Sequence, residues 1–208
     1  MNAICTQNLS VALAQSEILS GINLQIRKGA WTSIVGPNGS GKSTMMNVLT
    51  GIYQPTAGEI DFQGKTVIGR TSSQIALSGI ARTFQNVQLF GEMTALQNVL
   101  VGLHHTYESN LVDIALDTSR YQSEENTATQ KAFGLLQFVG LAESAHEEAR
   151  NLPYGRQRLL EIARALALDP QLLLLDEPAA GLTAPDIKEL VAIIHKIKEH
   201  GITVILIL

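Results

Sequence analysis

The sequence predicts an α/β fold with a mostly parallel core sheet, and three observations carry that prediction. Residues 36–44 read Gly-Pro-Asn-Gly-Ser-Gly-Lys-Ser-Thr and fit the phosphate-binding loop pattern G-x-x-x-x-G-K-[ST], with a strand-like segment before and a helix-like segment after. Leu172-Leu-Leu-Leu175 is a short apolar run, suited to a strand covered on both faces, and it leads straight into Asp176-Glu177. A helical pattern and a second apolar run, Ile202 to Leu208, follow it. Strands that alternate with helices imply parallel pairing, because the crossover brings the chain back in the same direction.

Taken in order, residues 3 to about 28 read as two strands, around Ile4–Ala12 and Ile22–Ile26. With Ile60–Phe62 and Val67–Ile68 they would make a small antiparallel sheet, with Gly21, Gly29 and Gly64 as turn signals. Trp31 to Val35 is mostly apolar and rich in β-formers, and it reads as the strand that enters the loop. Lys42 to Thr50 reads as a helix, with Met45, Met46, Val48 and Leu49 to bury, Gly51 at its end and Pro55 beyond. Thr94–Leu103, Glu124–Val139 and residues 156–168 read as helices, and residues 104–123 as a loop or insertion. Pro185 to His200 closes the series, with Ile187, Leu190, Val191, Ile194 and Ile197 on one face. Pro185 suits its first turn, Asp186 and Glu189 lie early, Lys196, Lys198 and His200 lie late, and Gly201 stops it.

The loop residues Gly36, Pro37, Asn38, Gly39, Ser40, Gly41, Lys42, Ser43 and Thr44 are the predicted nucleotide-binding set. Small residues let the backbone wrap closely, so that N–H groups point inward at phosphate oxygens. Lys42 places a cation on the β- and γ-phosphates, and the Ser43 hydroxyl can ligate Mg²⁺. The helix that follows opens with partial positive charge, which favours an anion. Asp176 and Glu177 fall at the carboxyl end of a buried strand, where open α/β sheets bind ligands. In a phosphate-loop enzyme Asp176 would hold Mg²⁺ directly or through water, and Glu177 would orient or activate the attacking water.

Composition excludes several classes. At 208 residues the chain is one domain, or one domain with a sizeable insertion, and 45% apolar residues suffice for a core. The net charge of −4 gives no basic footprint for nucleic acid. Cys5 is the single cysteine, so no disulfide forms within the chain, which suits a reducing compartment. The first residues lack the cationic and apolar stretches of a signal peptide, and no apolar run approaches the length of a membrane span.

Asn151-Leu-Pro-Tyr-Gly-Arg-Gln-Arg-Leu-Leu-Glu-Ile-Ala-Arg-Ala-Leu166 resembles the signature segment of ABC ATPases, usually L-S-G-G-Q, and the helix behind it. Gln85 in Arg82-Thr-Phe-Gln-Asn86 looks like the Q-loop glutamine, and Ala180-Gly-Leu-Thr183 is similar to the D-loop. Phosphate loop, Q-loop, signature, Walker B and D-loop come in the family's order, and the resemblance runs from about Ala3 to Leu208. Three strings look like the ATPase subunits of bacterial branched-chain amino acid importers. They are Gly79-Ile-Ala-Arg-Thr-Phe-Gln-Asn86, Leu89-Phe-Gly-Glu-Met-Thr-Ala-Leu-Gln-Asn-Val99 and Asp176-Glu-Pro-Ala-Ala-Gly-Leu182.

The resemblance implies an ABC-type nucleotide-binding core over residues 1–88, a helical subdomain with the signature over 89–165, and a core continuation over 166–208. It implies ATP and Mg²⁺, with Gln85 as a metal ligand or a partner of the attacking water. The signature residues Tyr154 and Gly155 would touch the γ-phosphate of ATP held by a homologous subunit, as homo- or heterodimer. Transmembrane permease subunits on the inner face of the bacterial membrane are the implied partners, and nucleic acid is not. Val87, Leu89 and Phe90 are candidates for docking such a permease or for packing within the subdomain. Arg156 is either a charge near the γ-phosphate or a surface cation.

Some positions depart from the family. Pro153, Tyr154 and Arg156 replace the usual signature residues. Residues 1–30 hold no Phe, Tyr, Trp or His to stack adenine, and Leu13 lies near the expected place, so base stacking should be weak. Leu208 falls about one residue before the family's switch histidine, where an acidic residue is expected, so the 208-residue chain is expected to bind ATP and turn it over slowly. His104, His105, His146, His195 and His200 stand in other contexts. An importer ATPase is the leading expectation. A nucleotide-binding fragment with little hydrolysis and a non-transport ABC ATPase are the alternatives.

Overall fold

A computed structural model describes residues 1–13, 16–109, 113 and 116–208, with the backbone alone at Leu13. The Leu13 side chain, named above for its place near adenine, lies outside the described residues, as does the centre of the 104–123 segment. The chain forms two compact units: Met1–Gln85 with Pro170–Gly181 and Lys188–Leu208, and Asn86–Asp169 with Leu182–Ile187.

The first unit carries two sheets. Strands β1 (Asn2–Leu13), β2 (Ser16–Arg27), β4 (Ala57–Phe62) and β5 (Lys65–Thr66) form one in the order β2-β1-β4-β5. Its pairs are antiparallel, as the sequence predicts. Strands β3 (Trp31–Ile34), β6 (Ile80–Arg82), β7 (Leu172–Asp176) and β8 (Thr203–Ile207) form the other, in the order β3-β8-β7-β6 and parallel throughout. All five residues of β7 and all five of β8 are buried, which is why neither strand alternates with polar residues.

Helix α1 (Lys42–Leu49) buries Met45, Met46, Val48 and Leu49. These share one apolar core with Leu172, Leu174, Ile205 and Ile207 from one face of the parallel sheet and with Ile4, Leu9, Ile26 and Ile60 from the antiparallel sheet. Side chains of the other parity, Leu173, Leu175, Val204 and Leu206, point to the opposite face and are equally closed to solvent. The Trp31 ring meets His195 edge-on at 4.9 Å, tying β3 to the last helix.

Short helix α2 (Ser72–Leu77) and strand β6 have no counterpart in the sequence prediction. The second unit contains α3 (Ala95–Leu103), α4 (Ser119–Phe138) and α5 (Tyr154–Leu166). Helix α4 starts five residues before the predicted Glu124, because Thr118 caps it by accepting from the Tyr121 N–H. Helix α5 starts two residues earlier than predicted, with Pro153 as its N-cap. Buried Asn98 on α3 accepts from the Phe90 N–H at 2.9 Å and donates to the carbonyls of Phe90, Met93 and Thr94, so one side chain organises the turn before the helix.

The last helix, α6 (Ala184–Glu199), corrects one predicted face. Leu190, Ile193, Ile194 and Ile197 are buried, whereas Ile187 and Val191 remain more than a third exposed. The stripe is rotated by part of a turn, and Ile193 takes the place assigned to Val191. No helix among the described residues is long and apolar enough to cross a membrane.

Candidate functional site

Strand β3 ends at Ile34, and the chain then turns through the phosphate loop into α1. Gly41 is the N-cap of α1 at φ 90°, a left-handed conformation that side chains rarely adopt. A Cβ there would also stand 2.6 Å from Leu19 Cδ2, so β2 packs directly against the loop. No side chain caps α1, which leaves its first backbone N–H groups available to a ligand.

A cavity of about 410 Å³ opens at this point, lined by the loop residues Asn38, Gly39, Gly41, Lys42, Ser43 and Thr44 together with Ile18, Gln85 and Glu177. Gly36, Pro37 and Ser40 belong to the same loop but do not line the cavity. The Lys42 ammonium is turned onto its own loop, donating to the Gly36 carbonyl at 2.5 Å and the Pro37 carbonyl at 3.2 Å. These are weak competitors for a cation that a polyphosphate would draw away.

Across the cavity, Gln85 Nε2 donates to Glu177 Oε2 at 2.9 Å. The structure thus joins two residues that are 92 positions apart in sequence. Glu177 has φ 43°, a left-handed backbone unusual for a residue with a long side chain. Its N–H donates to the Ile207 carbonyl and its carbonyl accepts from the Ala180 N–H, so the turn after β7 holds it in place. Pro178 follows, and the pair Glu177-Pro178 ends the strand.

Asp176 lies at the end of β7, 2% exposed, and does not line the cavity. Its Oδ2 accepts from Arg82 at 2.8 Å, while Oδ1 is buried with no hydrogen-bond partner among the described residues. Such an orphaned acceptor fits a hydrated divalent cation, and the donor set of Ser43 hydroxyl, Gln85 amide oxygen and Asp176 carboxylate is the hard-oxygen set Mg²⁺ favours.

Tyr154 and Gly155 open α5 in the second unit. The helix has no side-chain cap. A Cβ on Gly155 would stand 2.7 Å from the Asp186 carboxylate, so a larger residue here would have to displace that side chain from its bonds to Thr183. The Tyr154 hydroxyl accepts from Arg158, whose guanidinium is fully buried and paired with Glu161 at 2.9 Å. Arg156 donates to the Gly140 carbonyl at 2.7 Å. Of the three apolar residues after Gln85, Val87 and Leu89 are half-buried and Phe90 is exposed under the Arg164 guanidinium. Burial depresses the Arg164 pKa, and the nearby Glu161 carboxylate opposes that shift.

Three groups escaped the sequence reading. Ile18 lines the cavity with a partly exposed aliphatic side chain on the strand beside the loop, whereas the sequence points to the neighbourhood of Leu13. Arg82 was visible only as one letter of a string. The buried Arg158–Glu161 pair sits on a helix read for its apolar residues, and an i,i+3 spacing of opposite charges was the available signal.

The family model described as ABC transporter matches residues 19–180. The chain is 44% identical, over 91% of its length and 74% of the relative's, to the high-affinity branched-chain amino acid transport ATP-binding protein BraF of Pseudomonas aeruginosa. Among solved structures it is similar to the ADP conformation of an ATP-binding cassette of an ABC transporter. That match has a TM-score of 0.86 and 32% identity, and covers 100% of this chain and 81% of the other. It is also similar to a dimeric post-hydrolysis state of another ATP-binding cassette bound to ADP and phosphate. There the TM-score is 0.81 at 26% identity, over 98% of this chain and 87% of the other.

Proposed function

This chain belongs to the ABC transporter family, and we propose that it is the ATP-hydrolysing subunit that powers an importer of branched-chain amino acids. The observation that carries the reading is the single cavity in which the phosphate loop, Gln85 and Glu177 meet, with Gln85 bonded to Glu177 at 2.9 Å. The N–H groups of residues 38–44 bind the phosphates of ATP, and Lys42 leaves the Gly36 and Pro37 carbonyls to neutralise the β- and γ-oxygens. Ser43, Gln85 and Asp176 Oδ1 are the residues that would hold Mg²⁺, which supplies Lewis-acid stabilisation of charge on the phosphates. Glu177 accepts the proton of the attacking water, and Gln85 fixes that water by exchanging its bond to Glu177 for one to the nucleophile. Ile18 offers the base an aliphatic contact in place of aromatic stacking.

Tyr154 and Gly155 serve a second subunit. The uncapped start of α5 presents N–H groups to the γ-phosphate of ATP bound to the partner, and the dimeric relative supports that arrangement. Permease subunits in the membrane are the other partners, and the chain works on the cytoplasmic side. Exposed Phe90, stacked under Arg164, is the residue we assign to permease docking, while Val87 and Leu89 pack within their unit.

The test is reconstitution with the permease in vesicles. ATP-dependent uptake of leucine, isoleucine or valine is expected, and it should vanish with Lys42→Ala. Uptake confined to a different solute would overturn the substrate class and leave the ATPase reading standing.

A further inference from the structure

Arg82 ends β6 and is paired in register with Leu174, two residues before Asp176. Its side chain is only 8% exposed. Nη2 donates to Asp176 Oδ2 at 2.8 Å, and Nη1 donates to Asn47 Oδ1 at 2.7 Å and, at longer range, to Thr50 Oγ1 at 3.4 Å. The guanidinium lies over the Phe84 ring at 5.1 Å. Asn47 is one helical turn beyond Ser43 on the same face of α1. One rigid fork therefore links the strand-end carboxylate to the helix that carries the phosphate loop, three residues before Gln85.

Two consequences follow from elementary electrostatics and geometry. The guanidinium offsets the charge of the Asp176 carboxylate and so weakens its pull on any other cation. It also occupies Oδ2, which leaves Oδ1 as a buried carboxylate oxygen with no hydrogen-bond partner among the described residues. We propose that Arg82 is a positioning residue for ATP turnover, which reserves Asp176 Oδ1 for a metal-bound water and keeps the carboxylate from closing directly on Mg²⁺. The inference rests on the ATP and Mg²⁺ reading of the site. It predicts that removing Arg82 tightens the metal while slowing the reaction, a combination that loss of packing alone does not produce.

The experiment is a Mg²⁺ titration of the intact subunit at fixed AMP-PNP, followed by calorimetry, beside steady-state ATP turnover. In Arg82→Met, half-saturating Mg²⁺ should fall by about threefold or more while turnover falls by about tenfold or more, in the range typical of residues that orient metal ligands. Arg82→Lys keeps the charge and loses the fork, so its Mg²⁺ requirement should return to about the wild-type value with turnover only partly restored. An unchanged or raised Mg²⁺ requirement in folded Arg82→Met overturns the proposal. Should that variant not fold, Asn47→Leu decides the matter, because it cuts the shorter of the two bonds to α1 and leaves the Arg82–Asp176 pair. A turnover loss of about threefold or more with unaltered metal-free nucleotide affinity supports the role, and wild-type turnover overturns it. Failure of the wild-type protein to bind AMP-PNP with Mg²⁺ would instead overturn the ATPase reading itself.

Discussion

Helices α1 and α5 begin differently from α2, α3 and α4. The last three start behind threonines, Thr71, Thr94 and Thr118, whose side chains each accept from an N–H of the first turn. In α2 and α3 a glutamine also reaches back to complete a capping box. Helices α1 and α5 start behind Gly41 and Pro153, and neither has a side-chain cap. A cap contributes about 1 kcal/mol, so its absence at these two helices is a cost to the free chain. The difference separates three helices closed by their own N-cap threonines from the two whose first turns we propose to meet the phosphates of a nucleotide.

Substitutions can break or sharpen that contrast. The largest effect is expected at Lys42→Ala, where losing charge-assisted bonds to the β- and γ-phosphates should weaken ATP binding by about a hundredfold. Titration with labelled ATP measures it, and equal affinities would remove α1 from the anion-binding class. Glu177→Gln should leave binding intact and reduce hydrolysis by about 10²–10⁴-fold, because the amide keeps the shape without the base. Phosphate release under saturating ATP is the readout. Wild-type release in that variant would move the catalytic role elsewhere.

Gly155→Ala distinguishes the two uncapped helices from each other. Its Cβ collides with the Asp186 carboxylate, at a cost of about 1–3 kcal/mol, so turnover of the paired subunits should fall by about tenfold. ATP affinity of the isolated chain should be unchanged, and a matching loss of affinity would contradict the assignment of α5 to the partner's nucleotide. The smallest effect is expected at Thr94→Ala. Removing an internal cap should lower the melting temperature by about 2–4 °C without altering ATP binding.

Much of this was legible in the sequence. The strand–loop–helix around residues 36–44 follows from local signals, since glycines and the lysine stand at fixed spacing between two apolar runs. Strands β7 and β8 announce themselves because burial on both faces removes alternation. Helix α2 and strand β6 leave no clear signal because six and three residues are too few for either hydrophobic period to repeat twice. The rotated face of α6 has a similar origin, since Ile187, Val191 and Ile193 are equivalent by hydropathy and only tertiary packing chooses among them. At the site, residue types were legible and their pairings were not. Nothing local says that Arg82 bonds Asp176 rather than another carboxylate, because that choice is made by the register of β6 on β7.

The left-handed backbone of Glu177 sets two selective pressures against each other. A non-glycine residue held at φ 43° stores about 1–2 kcal/mol that glycine would not. Glu177→Gly should relieve that strain, against about 0.5–1 kcal/mol of extra unfolded-chain entropy, while removing the proposed proton acceptor. A screen that rewards thermal endurance alone would not reject this inactive variant, so directed evolution of the subunit needs transport in the selection from the first round.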